Sequence, residues 1–248
     1  MATGSISKLS MQLQDYFNQL APVWDEEVTR ERLECLSNII KELDIKHESH
    51  VLDIGSGTGI LLPFLIQAVD HTGKILALDF STEMLHQAKT KNFSPVVDYI
   101  QADVTAIPLP NSCIDLAICN SAFPHFSDKA KALKEIARVL KGGGRLVICH
   151  TASREAINQL HQSIGGVVGN DLLPDESQLK ELTKHADLKI TYLENSPKRY
   201  LVIAERQAKT FLRALWALTT STSYPFADSG FAIRAAITLL PLPPLPNT

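Results

Sequence analysis

"VLDIGSGTGI", residues 51–60, decides the fold of this 248-residue chain. Val51, Leu52 and Ile54 flank Asp53, and glycines then stand at 55, 57 and 59 with Ser56 between the first two. A short apolar run that breaks into alternate glycines is a strand turning sharply into a helix. Glycine permits the turn and lets a ligand approach the backbone, while the helix that follows offers unpaired N–H groups. Many nucleotide folds share this much. The ligand is the open question.

Outward from this loop, strand-like and helix-like runs alternate. Strands are expected near 50–55, 74–80, 96–102, 114–120 and 144–150, with helices near 58–69, 81–91 and 128–140. Short apolar strands separated by helices imply a parallel sheet covered on both faces. Two further helices are expected near 152–164 and 175–186. "LKITYLE" and "RYLVIAE", joined by the turn-like "NSPK", then form an antiparallel hairpin. The expected architecture is a doubly wound α/β domain, mostly parallel and seven-stranded, with that hairpin at its end. Residues 1–46 read as an N-terminal helical lid, broken near Pro22, and 47–206 as the ligand-binding domain. Residues 207–248 change character, with one acid (Asp228), three bases and the ending "PLPPLP". They read as an appendage of open structure, and the polyproline pattern fits a protein contact.

Charge narrows the ligand. The pyrophosphate fingerprint is G-x-G-x-x-G, whereas here the third glycine comes one residue early and Ile60 stands in its place. Asp53 would repel a nearby phosphate. No Gly-Lys-Ser/Thr follows, which excludes a P-loop. A ligand that is cationic beside the loop suits this carboxylate, and S-adenosylmethionine carries a sulfonium and an ammonium but no phosphate. Asp79 ends the second strand, where a carboxylate can take two ribose hydroxyls, and Asp103 follows the third. Each acid taken singly also fits a helix cap or turn. Three together at consecutive strand ends line one crevice.

These residues reach a known family. "LDIGSGTG", "LALDFSTEML", "ADVTAIPLPNSCIDLAICNSAFPHFSD" and "EIARVLKGGGRLVICH" resemble the Rossmann-like (class I) S-adenosylmethionine-dependent methyltransferases over residues 47 to 150. "YFNQLAPVWDEE" resembles the lid segment of the branch that includes the ubiquinone and menaquinone methyltransferases. The resemblance implies S-adenosyl-L-methionine as cofactor. Asp53 and the glycine loop, residues 55 to 59, would hold its methionine end, and Asn120 would lie under its ammonium. Asp79 would hold the ribose, and Phe80, Asp103 and Val104 would hold the adenine. Tyr16 and Trp24 would close over it. The chain departs from the N-P-P-[YF] motif of base and glutamine N-methylating members, having Asn120-Ser121-Ala122-Phe123 there. DNA or release-factor methylation is therefore not expected.

Methyl transfer from an activated sulfonium mainly requires alignment, and a base only if the acceptor must lose a proton. His125 and His150, after the fourth and fifth strands, are the candidate bases, each also readable as a structural histidine. Phe123 is a candidate apolar wall for the acceptor. Arg154, Asn158, His161 and Gly165 fall on one helical face, which reads either as solvated surface or as a polar lining of the acceptor pocket. Ile157, Leu160, Ile164 and Val167 read as the buried face, and Gly165-Gly166 with "GNDLLPDE" as cover. His125, His150 and His161 lack short ligand spacing, so no metal is expected.

The composition is ordinary. The charge of −3, with 21% charged residues, offers no basic excess for nucleic acid. Cys35, Cys113, Cys119 and Cys149 form no C-x-x-C pair, which fits buried reduced thiols in a cytoplasmic protein. "MATGSISKLS" has no apolar signal core, and no apolar run of membrane-spanning length appears. The sequence thus points to methylation of a small-molecule acceptor. An NAD(P)-dependent oxidoreductase, a non-catalytic cofactor-binding protein and a protein or RNA methyltransferase remain as rivals.

Overall fold

A computed structural model describes residues 8–208. The tail read as an appendage, with its "PLPPLP" end, lies outside the described residues.

Seven strands form one sheet: β1 (His50–Ile54), β2 (Lys74–Asp79), β3 (Val97–Gln101), β4 (Ile114–Asn120), β5 (Leu140–His150), β6 (Leu188–Asn195) and β7 (Tyr200–Arg206). Their order is β3-β2-β1-β4-β5-β7-β6. The first five are parallel, and β7 runs antiparallel between β5 and β6, as the hairpin reading requires. The chain reverses direction across the sheet between β1 and β4, and ligands of such sheets bind outside the strand ends at that point.

Strand alternation divides the core. Leu52, Ile54, Ala117, Cys119, Leu146 and Ile148 pack beneath α5 (Lys129–Val139) and α7 (Glu176–Lys184). Val51, Ile118, Val147 and Cys149 face α2 (Arg30–Glu42) and α3 (Leu62–Val69) on the other side. Each fully buried Leu or Ile in these layers contributes about 1.5–3 kcal/mol. A third, smaller cluster roofs the strand ends. Leu13 and Phe17 of α1 (Lys8–Leu20) and Ala21 meet Met84 of α4 (Thr82–Thr90) and Val168.

Three departures from expectation have local causes. Helix α3 begins at Leu62 rather than near 58, because Gly59 has φ +88° and residues 58–61 continue the turn of the glycine loop. Strand β5 begins at Leu140, four residues before the expected start, and a register irregularity lies between Ile114 and Leu116 on its partner. Around Pro22 the expected break is a 3-10 turn, Ala21–Glu27.

The helix Arg154–Ile164 (α6) keeps only part of its expected buried face, since Ile157 and the following Val167 pack on the core and the rest does not. His161 is buried and Asn158 half-buried, whereas Leu160 and Ile164 are both more than half exposed. The helix packs on a loop rather than on a sheet. Asn158 clamps the backbone of Leu173 (Nδ2 to O 3.1 Å, N to Oδ1 2.8 Å), and His161 Nδ1 contacts the Asp171 carbonyl. Loop backbone demands polar partners, so the polar stripe turns inward.

Candidate functional site

The glycine loop is shaped by contacts that admit no side chain. Gly55 has φ +67°, and a Cβ there would sit 2.3 Å from the Ala122 Cβ. Gly59 is a packing glycine, since its Cβ would meet Phe93 and Leu62 at 2.8 and 2.9 Å, and it does not line the cavity. Gly57 is different. Its Cβ position faces open space, with the Trp24 Nε1 3.9 Å away.

That space is a cavity of about 920 Å³, counting its open mouth. Asp79, Phe80, Asp103, Val104 and Asn120 line it from the strand ends, as do Gly55, Ser56 and Gly57 from the loop. Leu13, Phe17 and Trp24 line it from the N-terminal segment. Tyr16 is not in the wall. It packs edge-on against Phe17 at 5.4 Å, and Phe17 takes the place on α1 that faces inward.

The acids behave differently. Asp79 accepts from the N–H of Gly57 and of Ser81, both at 2.8 Å, while burial pushes its pKa up to about 6. Asp103 caps a short 3-10 turn by accepting from Thr105 N at 2.7 Å, and also lines the cavity. Asp53 lies beneath the loop, fully buried within β1. Burial, with the Asp79 charge second, pushes it up to about 8, and its Oδ2 has no partner. The Ser56 hydroxyl is likewise buried and unpartnered. An orphaned carboxylate under a glycine cradle is the environment that a cationic group would complete.

The N-terminal segment is fastened over this site. Gln14 Nε2 donates to the Phe80 carbonyl (2.5 Å), and Asn18 Oδ1 accepts from Ser81 Oγ (2.7 Å). Asp25 accepts from Thr58 Oγ1 (2.5 Å) and pairs with Lys91 (2.6 Å), whose ammonium also donates to the Thr58 carbonyl. The sequence reading missed these ties. They join residues far apart in sequence, with no local spacing to reveal them.

The expected acceptor residues separate. His125 lines the cavity, and its Nδ1 lies 2.8 Å from Asp171 Oδ2, with the His161 ring 4.9 Å away. Burial lowers the His125 pKa, and the Asp171 hydrogen bond opposes that shift. His150 is buried behind the cavity wall, edge-on to Tyr200, with both ring nitrogens unpartnered. Burial drives its pKa down to about 3. Phe123 is fully buried core beside Phe126, and Phe126 lines the cavity instead. Arg154 pairs with its neighbour Glu155 and does not reach the cavity. Asn158 and His161 serve the loop that carries Asp171. Asp171 itself went unread because a lone acid in "GNDLLPDE" carries no signal until the loop folds back.

Among the described residues no group of three or more His, Cys, Asp or Glu side chains is arranged to hold a metal. Cys119 and Cys149 are buried thiols, whereas Cys35 and Cys113 are only half-buried. No helix among the described residues is long and apolar enough to cross a membrane.

A doubly wound sheet, a glycine cradle over a buried acid and carboxylates at successive strand ends together define a class I methyltransferase. The comparisons with known proteins agree. A family model described as "Methyltransferase domain" matches residues 52–148. The ubiquinone/menaquinone biosynthesis C-methyltransferase of Escherichia coli is 30% identical over 169 residues, 57% of this chain and 67% of that one. A Streptomyces fradiae protein of 37.1 kDa from a transposon, itself uncharacterised, is 38% identical over 114 residues, 45% of this chain and 33% of that one. The Aquifex aeolicus S-adenosylmethionine-dependent methyltransferase superposes with a TM-score of 0.61 at 24% identity, over 78% of this chain and 98% of that one, a likeness of fold. The chain belongs to the class I S-adenosylmethionine-dependent methyltransferases, in the branch of the ubiquinone/menaquinone C-methyltransferases. Its cofactor is S-adenosyl-L-methionine. The chain spans only one third of the S. fradiae relative.

Proposed function

We propose that this protein methylates a small-molecule acceptor, with His125 as the base that removes the acceptor's proton. The observation that carries this reading is one roofed cavity shared by Asp79 and His125. Its walls enclose a ligand under α1 and the Ala21–Glu27 turn, which suits a small molecule better than a polymer.

When bound, the cofactor supplies a methyl group on a positively charged sulfur, already activated for displacement. Asp53, Gly55, Ser56, Gly57 and Asn120 would hold its methionine end. Asp79 would hold the ribose, and Phe80, Asp103 and Val104 the adenine. Trp24 and Phe17 exclude water from above. Residues 1–46 act as the lid in this reading, and 47–206 carry the site.

His125 is suited to its role on chemical grounds. An ionised Asp171 only accepts hydrogen bonds, so the proton of the neutral imidazole sits on Nδ1 and Nε2 keeps its lone pair. Lowered basicity keeps the ring neutral at pH 7. A positioned base of this kind contributes about 10²–10⁴-fold to a proton-requiring step. Acceptors whose nucleophile is an acidic hydroxyl or an activated carbon fit this arrangement.

The test is transfer from tritiated S-adenosylmethionine to a panel of phenols, enolisable carbonyl compounds and amines, run beside cell protein and RNA fractions. Label in a small molecule supports the proposal. Label only in protein or RNA overturns it.

A further inference from the structure

The loop between α6 and α7 carries two apolar residues, Val167 and Val168, among glycines and polar residues. Val168 is buried in the roof cluster with Leu13 and Phe17 of α1, and Val167 lies against the same cluster. Neither valine lines the cavity. Three residues beyond Val168, Asp171 holds His125. The segment between them is closed on itself. The Asp171 N–H donates to the Val168 carbonyl (2.9 Å), and Gly169 folds onto Gly165, where a Cβ would come within 2.9 Å of the Gly165 Cα. From α6, His161 and Asn158 hold the carbonyls of Asp171 and Leu173. Helix α1 also touches the base directly, because the Phe17 ring stands edge-on to His125 at 5.0 Å. Close-packed groups transmit displacement, so a buried valine in a self-bonded turn carries that turn with it. The seat of Val168 beside α1 therefore sets where the Asp171 carboxylate stands.

We propose that Val168 is a positioning residue for the base, through which helix α1 fixes the Asp171 carboxylate on His125 Nδ1. This rests on His125 being the base of the proposed reaction. With Asp171 in place, the proton of the neutral ring sits on Nδ1, and Nε2 is free to accept a proton. Without that partner the ring is free to carry its proton on Nε2, where it blocks the lone pair the reaction needs. One element thus sets two conditions of the transfer. Seated α1 roofs the cavity with Leu13 and Phe17, and the same seat holds the base in its working tautomer. A site left open by a displaced α1 would then hold no aligned base.

The experiment is nitrogen NMR on the full chain, with histidine isotopically labelled at both ring nitrogens and S-adenosylhomocysteine present in excess. His125→Gln assigns the His125 signals. Unmodified protein shows the His125 proton on Nδ1. Val168→Ala and Leu13→Ala, which loosen the roof cluster from its two sides, each move roughly half of the population or more to Nε2. Nδ1 protonation kept in both variants overturns the proposal. A shift with Val168→Ala alone overturns the link to α1. A shift with Leu13→Ala alone overturns the role of Val168 and leaves Phe17 as the contact. Thermal unfolding identifies a variant that has lost its fold, and the other variant then decides. Turnover reads the same link. Val168→Ala lowers it about tenfold alone and adds nothing to His125→Ala, whereas additive losses overturn the proposal. Turnover that survives His125→Ala overturns the base reading alone, because the proton's place on the ring is read without any acceptor.

Discussion

His125 Nδ1 and Asp171 Oδ2 are 2.8 Å apart, 46 residues apart in sequence, and the histidine's ring forms part of the cavity wall. The pair predicts a graded loss of function. His125→Ala should lower turnover by about 10²–10⁴-fold with cofactor affinity little changed. Asp171→Asn should lower it less. It should also move the acid limb of the kcat/KM profile to lower pH, because the Asp171 interaction is what raises the His125 pKa against burial. Steady-state rates from pH 5 to 8 would check this. An unmoved limb would make Asp171 a loop anchor only.

If Asp53 holds the cofactor's cationic end as proposed, cofactor binding should depend on pH. Its pKa is raised to about 8 without ligand, so a cationic ligand must drive its proton off. Between pH 6 and 7.5 cofactor affinity should rise with pH, and calorimetry in buffers of different ionisation enthalpy should detect proton release that Asp53→Asn lacks.

The same shift governs stability. A folded pKa above the unfolded value of about 3.9 means the contribution is complete below that value and is lost as pH rises towards 8. Ligand-free Asp53→Asn should therefore exceed the unmodified protein in stability at pH 8–9, by about 1–3 kcal/mol, while binding the cofactor poorly. Thermal unfolding at pH 5 and pH 8.5 provides the comparison, and equal differences at both would refute it.

Gly55→Ala should destabilise the fold by about 2–4 kcal/mol, since it adds overlap with Ala122 to a left-handed backbone. Gly57→Ala, facing open space, should keep more stability and act mainly on ligand affinity. Chemical denaturation of the two variants, with Ala122→Gly added to the first, separates overlap from backbone strain.

The Asp25 ties predict a kinetic effect. Asp25→Ala removes the bonds to Thr58 and Lys91 that fasten the Ala21–Glu27 turn to the glycine loop. Stopped-flow should show S-adenosylhomocysteine leaving about tenfold faster. The stability change should be under about 1 kcal/mol, because the Asp25–Lys91 pair is partly exposed. An unchanged rate would mean that the turn does not gate release.

The sheet was legible because local signals agreed with the fold. Apolar strands, the helical runs between them and the "NSPK" turn all pointed the same way. The acids at strand ends were legible because a parallel sheet brings its strand ends together. The acceptor side was less so. Phe123 looked like pocket wall but completes the core, and its neighbour Phe126 turns towards the cavity. Helix α6 was read by periodicity alone, which leaves open whether a polar stripe meets solvent or polar groups beneath it.

The most direct test of the central claim is calorimetric titration of the full chain with S-adenosylhomocysteine and with NAD(P), using the unmodified protein and Asp79→Ala. The account predicts that S-adenosylhomocysteine binds the unmodified protein, that Asp79→Ala weakens it by at least about tenfold with the fold retained, and that neither nicotinamide nucleotide competes. Binding of NAD(P) in its place, or an Asp79→Ala affinity equal to that of the unmodified protein, would contradict it.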